Sequence, residues 1–193
     1  MKTQKAPVWP NLLFPSPVIL VTCIDEEKGG ANIITLAWAS NFSLNPPTIG
    51  IGVNTGRYSY KLIEKSGEFV VNIPSTKLLH ESDFCGVTSG KRVDKFTLTE
   101  FTTVPAIKIK TPLIKECLVN IECKVSQIID SGSHGIIIGD ILLMHVDEEI
   151  QTSQGNIDYS KADPILYLNG DYWSIGEEIG KHGLSKGKPK SQE

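Results

Sequence analysis

The residues best suited to chemistry lie in four short segments that combine hydroxyls, small side chains and a few cations. The sequence holds no GxSxG, HExxH or Walker pattern in the required context. Its four histidines are dispersed along the chain, so we expect no metal site. Segments of this composition favour ligand binding through hydroxyls and main-chain N–H groups. They are residues 32–40, 54–60, 85–96 and 130–140.

The segment 54–60 has the composition of an anion site. It places Arg57 immediately before a predicted helix over residues 58–66. The unpaired N–H groups and the dipole of a helix N-terminus favour a phosphate, and an arginine can donate to two phosphate oxygens. Alternatively, Thr55 or Ser59 merely caps the helix and Arg57 is a surface charge. These residues alone leave both interpretations open.

The segment 32–40 is apolar for a loop, yet it is rich in small residues. Small side chains let a flat ring lie against the main chain, whose N–H and C=O groups can then bind the ring's polar edges. Trp38 either packs on such a ring or fills the core. The next predicted strand, residues 48–53, alternates glycine with bulky residues, which indicates a face that another group approaches closely.

Composition excludes several classes of function. The chain has 193 residues, of which 40 % are apolar and 21 % charged, as in soluble globular proteins. The net charge of −3 provides no basic field for nucleic acid or an anionic membrane. We find no signal-peptide core and no apolar run of membrane-spanning length, and therefore expect a cytoplasmic protein. The four cysteines form no CxxC pair and are expected to be buried thiols.

The elements that must position these segments are mostly strands. We predict a single domain over residues 1–193, with its core at about 12–175 and a mobile tail at 181–193. The pattern lacks an alternating βαβ rhythm, which excludes a doubly wound nucleotide fold and favours a Greek-key barrel or sandwich. The predicted strands are 18–24, 48–53, 68–73, 118–129, 134–146 and 165–168, the predicted helices are 58–66 and 76–84, and residues 85–94 and 101–112 are predicted to be irregular.

In this order and spacing, the four segments resemble the flavin reductase-like family of FMN-binding split barrels, which includes flavoredoxins and ferric reductases. The resemblance runs from about Pro15 to Val146 and through residues 164–172. It implies an all-β fold, mainly β with short helices, of the Greek-key split β-barrel type. It also implies a non-covalently bound FMN, NAD(P)H as reductant, and a homodimer whose second subunit completes the flavin groove.

The resemblance also assigns roles to residues. It places His134 beside the flavin and nicotinamide, as the residue that guides a reductant or substrate, although a histidine in a turn is ordinarily just exposed. Cys85 is either close enough to the flavin for redox exchange or an inert thiol. The implied cofactor-binding residues are Asn32, Thr35, Leu36, Ala37, Trp38, Ala39, Ser40, Asn54, Thr55, Arg57, Ser59, Tyr60, Cys85, Gly86, Ser89, Gly90 and Lys95.

Three functions remain open at this stage. The first is an oxidoreductase that reduces bound FMN with NAD(P)H and passes electrons to a small acceptor such as free flavin or a ferric chelate. The second is a non-enzymatic FMN electron carrier that serves protein partners. The third is a barrel interaction module that has lost its flavin. The sequence chooses neither the acceptor nor between NADH and NADPH.

Overall fold

A computed structural model describes residues 13–186 of the chain. Strands dominate it, and two short 3-10 turns, Thr76–Leu78 and Glu148–Ile150, accompany the α-helices. The strands are β1 (Ser16–Pro17), β2 (Ile19–Asp25), β3 (Gly30–Leu36), β4 (Ala39–Leu44), β5 (Pro47–Asn54), β6 (Glu68–Ile73), β7 (Thr103–Val104), β8 (Leu113–Ile114), β9 (Val119–Ser131), β10 (His134–Val146), β11 (Ile165–Leu168) and β12 (Asp171–Ser174), and the helices are α1 (Tyr58–Ser66), α2 (Leu79–Val87), α3 (Lys95–Thr99) and α4 (Tyr159–Ala162).

One seven-stranded antiparallel sheet, in the order β3-β2-β6-β9-β10-β5-β4, forms the body of the fold. The order is not sequential, because α1 and its connections carry the chain from β5 past β10 and β9 to β6. Strands β3 and β4 are therefore the two edges of the sheet. A smaller sheet, β1-β11-β12, joins the C-terminal hairpin to the chain just before β2. The mainly β, split-barrel prediction is confirmed.

The main core lies on one face of the large sheet. Val21, Ile51, Phe69 and Ile137 are completely or almost completely buried there, and α1 adds Ile63. This packing follows from the period-2 alternation of the strands, which sends every second side chain inward. The four cysteines are buried and unpaired, as predicted.

Local sequence signals predicted several element boundaries correctly. The predicted helix 58–66 and the predicted strands 68–73, 134–146 and 165–168 have the observed bounds. Sequence reasoning missed eight short elements, which are β1, β3, β4, β7, β8, β12, α3 and α4. The interpretation of residues 32–40 as a loop is wrong, because β3 and β4 cover most of that segment, and the predicted irregular region 101–112 contains the short strand β7. Helix α3 lies next to the segment predicted as a loop, and it begins where the Asp94 carboxylate accepts a hydrogen bond from the Thr97 N–H, an N-cap.

Three further expectations are corrected or limited by the structure. The predicted helix 76–84 is a 3-10 turn followed by α2, which extends to Val87 and so includes the start of the predicted loop. Residues 1–12, and 187–193 of the predicted tail, lie outside the described residues. Between residues 13 and 186 we find no helix with the length and apolar character needed to cross a membrane.

Candidate functional site

A cavity of about 380 Å³ opens between the end of β3, the start of α1, the end of α2 and the C-terminal hairpin. Its volume lies in the range of about 300–1,000 Å³ that small-molecule sites occupy. Of the described residues that line it, Arg57 is the only lysine, arginine, aspartate or glutamate. The lining residues are Val18, Ile34, Thr35, Leu36, Ala37, Trp38, Gly52, Asn54, Arg57, Gly86, Val87, His134, Tyr167 and Tyr172.

One end of the cavity is the N-terminus of α1. Arg57 occupies the N-cap position, where no side chain accepts from the helix, and the first turn contains no acidic residue. Ser59 is buried and accepts a hydrogen bond from Asn32 Nδ2 at 2.8 Å, so it does not cap the helix. The Asn54 carboxamide oxygen accepts from the Gly56 N–H at 3.0 Å. No side chain caps the helix, so that part of the alternative is wrong. Arg57 is exposed, as its other part expects, and it also lines the cavity.

The long wall of the cavity is β3, an edge strand that pairs only with β2 in the sheet. Its main chain therefore has hydrogen-bonding groups on the side away from β2. Helix α2 lies close against this strand: Thr35 Oγ1 donates to the Ser82 carbonyl at 2.5 Å, and a Cβ on Gly86 would lie 3.3 Å from Thr35 Cβ. Together, strand and helix form a narrow slot rather than an open surface.

Another part of the cavity lining is aromatic, and we call it the aromatic end. The rings of Trp38 and His134 lie 4.6 Å apart between centroids, tilted by 39°. His134 begins β10 directly opposite Asn54 of β5, and its Nδ1 lies 2.8 Å from Ser133 Oγ. A Cβ on Gly52 would lie 3.2 Å from Trp38, so the absence of a side chain there makes room for the indole. This confirms the prediction of a closely approached glycine face.

Lys95 and Cys85 lie beneath the slot rather than in its lining. Lys95 is 4 % exposed, and its ammonium group donates to the carbonyls of Ile33 at 2.7 Å and Cys85 at 2.6 Å. Burial lowers the pKa of Lys95 to about 8 and raises the pKa of the Cys85 thiol to about 11. A buried thiol of this kind is unreactive, which favours the inert interpretation of Cys85.

The structure brings part of the predicted site together. Eight of the residues predicted from the sequence line the cavity: Thr35, Leu36, Ala37, Trp38, Asn54, Arg57, Gly86 and His134. Ala39 and Ser40 line a neighbouring apolar cavity on the other side of Trp38, and Asn32, Gly90 and Lys95 line a third cavity. Thr55, Ser59, Tyr60, Cys85 and Ser89 line none of these three.

Sequence reasoning missed two aromatic side chains, Tyr167 and Tyr172. They belong to the C-terminal hairpin, and both line the cavity. The turn Asn169-Gly170 between them was the only sequence signal of a hairpin, and it says nothing about which cavity the hairpin reaches. Within residues 13–186, no group of three or more His, Cys, Asp or Glu residues is arranged to hold a metal.

Comparison with known proteins agrees with this architecture. The sequence profile of the family described as "Flavin reductase like domain" matches residues 12–176. The fold is similar to flavoredoxin of Desulfovibrio vulgaris (Miyazaki F), with 31 % identity and a TM-score of 0.86 over 96 % of this chain and 100 % of that one. It is also similar to flavoredoxin from Methanosarcina acetivorans, with 34 % identity and a TM-score of 0.85 over 95 % and 98 % of the two chains.

A sequence relative supports the same assignment. An uncharacterized protein of Archaeoglobus fulgidus is 33 % identical over 147 residues, which cover 76 % of this chain and 81 % of that protein. The chain therefore belongs to the flavin reductase-like domain family, and its fold is the split barrel of that family.

Proposed function

We propose that the cavity binds FMN and that the protein is an oxidoreductase, which takes electrons from NAD(P)H and passes them to a small acceptor. One observation carries the proposal: a single cavity joins an uncapped helix N-terminus with an arginine, a free strand edge and an aromatic end. These three features match the three parts of FMN, which are a phosphate, a polar ribityl chain and a flat ring with polar edges.

The residues of the cavity suit those parts. Arg57 and the first N–H groups of α1 would hold the phosphate, because both favour a dianion. The main chain of residues 35–38 would bind the polar edge of the ring, and Ala37 leaves space for a ring against the backbone. The chemistry that FMN would supply when bound is to accept a hydride and to pass electrons on.

The chain's own contribution is binding, orientation and access. The described lining of the cavity contains no carboxylate, which agrees with a reaction that needs no general base from the protein. Trp38 and His134 make the aromatic end a place where a second flat molecule can approach the ring of the first. The contacts of the buried Lys95 and the half-buried Thr35 fix the slot between β3 and α2.

A titration tests the proposal directly. We expect the purified protein to bind FMN with a flavin absorbance spectrum, and to bind riboflavin, which lacks the phosphate, at least tenfold more weakly. Equal affinity for the two would contradict the phosphate site at α1. A colourless protein that takes up no FMN would contradict the proposal as a whole and favour the interaction module.

An electron carrier is the second candidate, and the similarity to two flavoredoxins at 31 % and 34 % identity favours it. A carrier shares the FMN site but lacks productive binding of NAD(P)H. Anaerobic mixing of FMN-loaded protein with NADH or NADPH separates the two functions. Rapid bleaching of the flavin supports the oxidoreductase, whereas bleaching by dithionite alone supports the carrier.

We also infer that the protein is a homodimer, because one face of the sheet is apolar and open. Phe42, 62 % exposed, lies over Gly50, and the half-buried Ile136 lies on the same face, opposite Gly52 of β5. This face borders an apolar cavity of about 610 Å³ that shares Trp38 with the candidate site. Contiguous apolar surface at an edge strand such as β4 favours a self-complementary contact. A second copy on this face would also close the flavin cavity.

Light scattering tests the dimer. We expect the wild type to have the mass of two chains at micromolar concentration. The Phe42→Lys variant should have a mass closer to that of one chain. Leu98→Lys is the control, because Leu98 is similarly exposed, at 58 %, on α3. A wild type that is monomeric while it holds FMN would refute the proposed interface.

A further inference from the structure

The C-terminal hairpin forms one wall of the candidate site with two tyrosines. Tyr167 of β11 and Tyr172 of β12 are directly opposite each other in the antiparallel register, so their side chains share one face of the hairpin. Their ring centroids are 5.7 Å apart, with a tilt of 57°. Both rings line the cavity that contains Trp38 and His134.

The position of Tyr172 is fixed by a contact with helix α2. Its hydroxyl donates a hydrogen bond to Asp83 Oδ1 at 2.8 Å, and Asp83 belongs to α2. Burial and the Asp83 carboxylate both raise the pKa of the Tyr172 phenol, so it stays neutral and remains a donor across the physiological range. The same helix contributes Gly86 and Val87 to the cavity, so hairpin and helix form one continuous wall.

Tyr167 is held differently. Its strand pairs with β1, where Ser16 is its partner, and its ring packs on Tyr172. Among the described residues, no hydrogen bond to the Tyr167 hydroxyl is found. A half-buried phenol that lines a cavity is suited to donate to a ligand, because its ring packs on apolar surface while its hydroxyl stays available.

The cavity thus has two aromatic pairs on separate elements. Trp38 and His134 come from the large sheet, whereas Tyr167 and Tyr172 come from the small one. Aromatic rings attract other rings in offset or edge-to-face contact, and each such contact contributes beyond the area it buries. The described lining has no acidic side chain that would favour a simple cation.

We propose that Tyr167 and Tyr172 form a subsite for the second ligand of the site, a planar ring that bears a carbonyl or carboxamide group. The hydroxyl of Tyr167 donates to that oxygen, and the two phenol rings pack against the ring edge. This inference rests on the proposed function, because the second ligand exchanges electrons with the flavin. Both a nicotinamide and a quinone have this chemistry, one as reductant and the other as acceptor.

The test uses three hairpin variants loaded with FMN. Tyr167→Leu removes both the ring and the hydroxyl, Tyr167→Phe removes the hydroxyl alone, and Trp173→Leu is the control. Trp173 is 57 % exposed and alternates to the other face of β12. In one arm, stopped-flow mixing with NADH or NADPH measures reduction. In the other, photoreduced protein is mixed with menadione, and reoxidation is measured.

In one arm, we expect Tyr167→Leu to raise the half-saturating concentration of the second ligand, NAD(P)H or menadione, at least tenfold. Tyr167→Phe should raise the same concentration about threefold, and Trp173→Leu should change it in neither arm. The arm that responds identifies the ligand as nicotinamide or quinone. The FMN dissociation constant should stay within about twofold throughout. Half-saturation unchanged in both arms would overturn the subsite. A loss of FMN affinity equal to the kinetic loss would also overturn it, since the tyrosines would then contact the cofactor.

A separate measurement keeps this result distinct from the proposed function. If the wild type takes up no FMN, the proposed function fails, and the subsite is tested by calorimetric titration of the protein with menadione and with nicotinamide mononucleotide. Binding that Tyr167→Leu weakens at least tenfold, with Trp173→Leu unchanged, would support the subsite without flavin. Equal binding by all three proteins would overturn it. Asp83→Ala should weaken binding of the same ligand, because it releases the Tyr172 hydroxyl. If that variant binds the ligand as tightly as the wild type, Asp83 does not fix the tyrosine wall.

Discussion

The ammonium nitrogen of Lys95 lies 2.6 Å from the carbonyl oxygen of Cys85, inside the protein. Its second acceptor is the Ile33 carbonyl of β3, so one side chain joins the edge strand to the end of α2. Both carbonyls are beneath the slot that we propose for FMN. Lys95 therefore acts on the site by holding its two walls together, and the cavity lining does not include it.

Replacement of Lys95 by Met should destabilise the fold by about 2–4 kcal/mol, because two buried carbonyls lose a charged donor. Urea unfolding followed by circular dichroism measures the change. Lys91→Met is the control, since Lys91 is an exposed lysine in the preceding loop. If Lys95 contacts the FMN phosphate instead, the variant would lose FMN affinity and keep its stability.

The pH dependence of stability provides a second check on Lys95. Burial lowers its folded-state pKa from 10.5 to about 8. Between these values the unfolded chain binds more protons than the folded one, so this lysine makes the free energy of unfolding rise with pH. The stability difference between wild type and Lys95→Met should therefore widen from pH 8 towards 10.5. Comparison with the variant cancels thiols and phenols that titrate in both proteins. If the stability difference narrows over this pH range, Lys95 is not a buried lysine with a lowered pKa.

Gly139 should be intolerant of a side chain. A Cβ at this position would lie 2.7 Å from Cζ of Phe69, a ring that is completely buried in the core. We expect Gly139→Ala to cost about 1–3 kcal/mol in the free energy of unfolding, as overpacking of a core does. Gly30→Ala is the matched control, because nothing lies within 4 Å of its Cβ position and its φ is not positive. Equal stability of the two variants would contradict the tight packing.

Sequence reasoning predicted the parts of the fold that local signals determine. Helix α1 has the predicted bounds because Gly67, with φ of 69°, ends it in the left-handed conformation. The contacts of Lys95 and of Tyr172 join residues 62 and 89 positions apart, and no local pattern encodes such pairs. For this reason the four segments were found from the sequence, whereas the tyrosine wall and the structural role of Lys95 required the structure.

Arg57 should decide between phosphorylated and unphosphorylated flavin. Its replacement by Ala should weaken FMN binding by about 1–3 kcal/mol, the range for a charge-assisted contact, and leave riboflavin binding unchanged. Fluorescence titration measures both affinities. Lys61→Ala is the control, because Lys61 is an exposed cation one turn further along α1. If Lys61→Ala weakens FMN binding as much as Arg57→Ala does, the effect comes from general surface charge, and the proposed phosphate site at Arg57 is wrong.

Replacement of His134 tests whether this residue guides NAD(P)H, the proposed second ligand, to the flavin. Its ring packs on Trp38 at the aromatic end, whereas Arg57 lies at the start of α1. We therefore expect His134→Ala to leave the FMN dissociation constant within about twofold and to slow reduction by NAD(P)H about tenfold, which corresponds to roughly 1.4 kcal/mol of transition-state stabilisation. Stopped-flow reduction at saturating FMN measures the rate, with His80→Ala, an exposed histidine of α2, as control. If His134 only fixes the turn into β10, stability and FMN binding will fall together. An unaltered rate would remove His134 from the site and favour the electron carrier, because a carrier needs no residue to guide a nicotinamide.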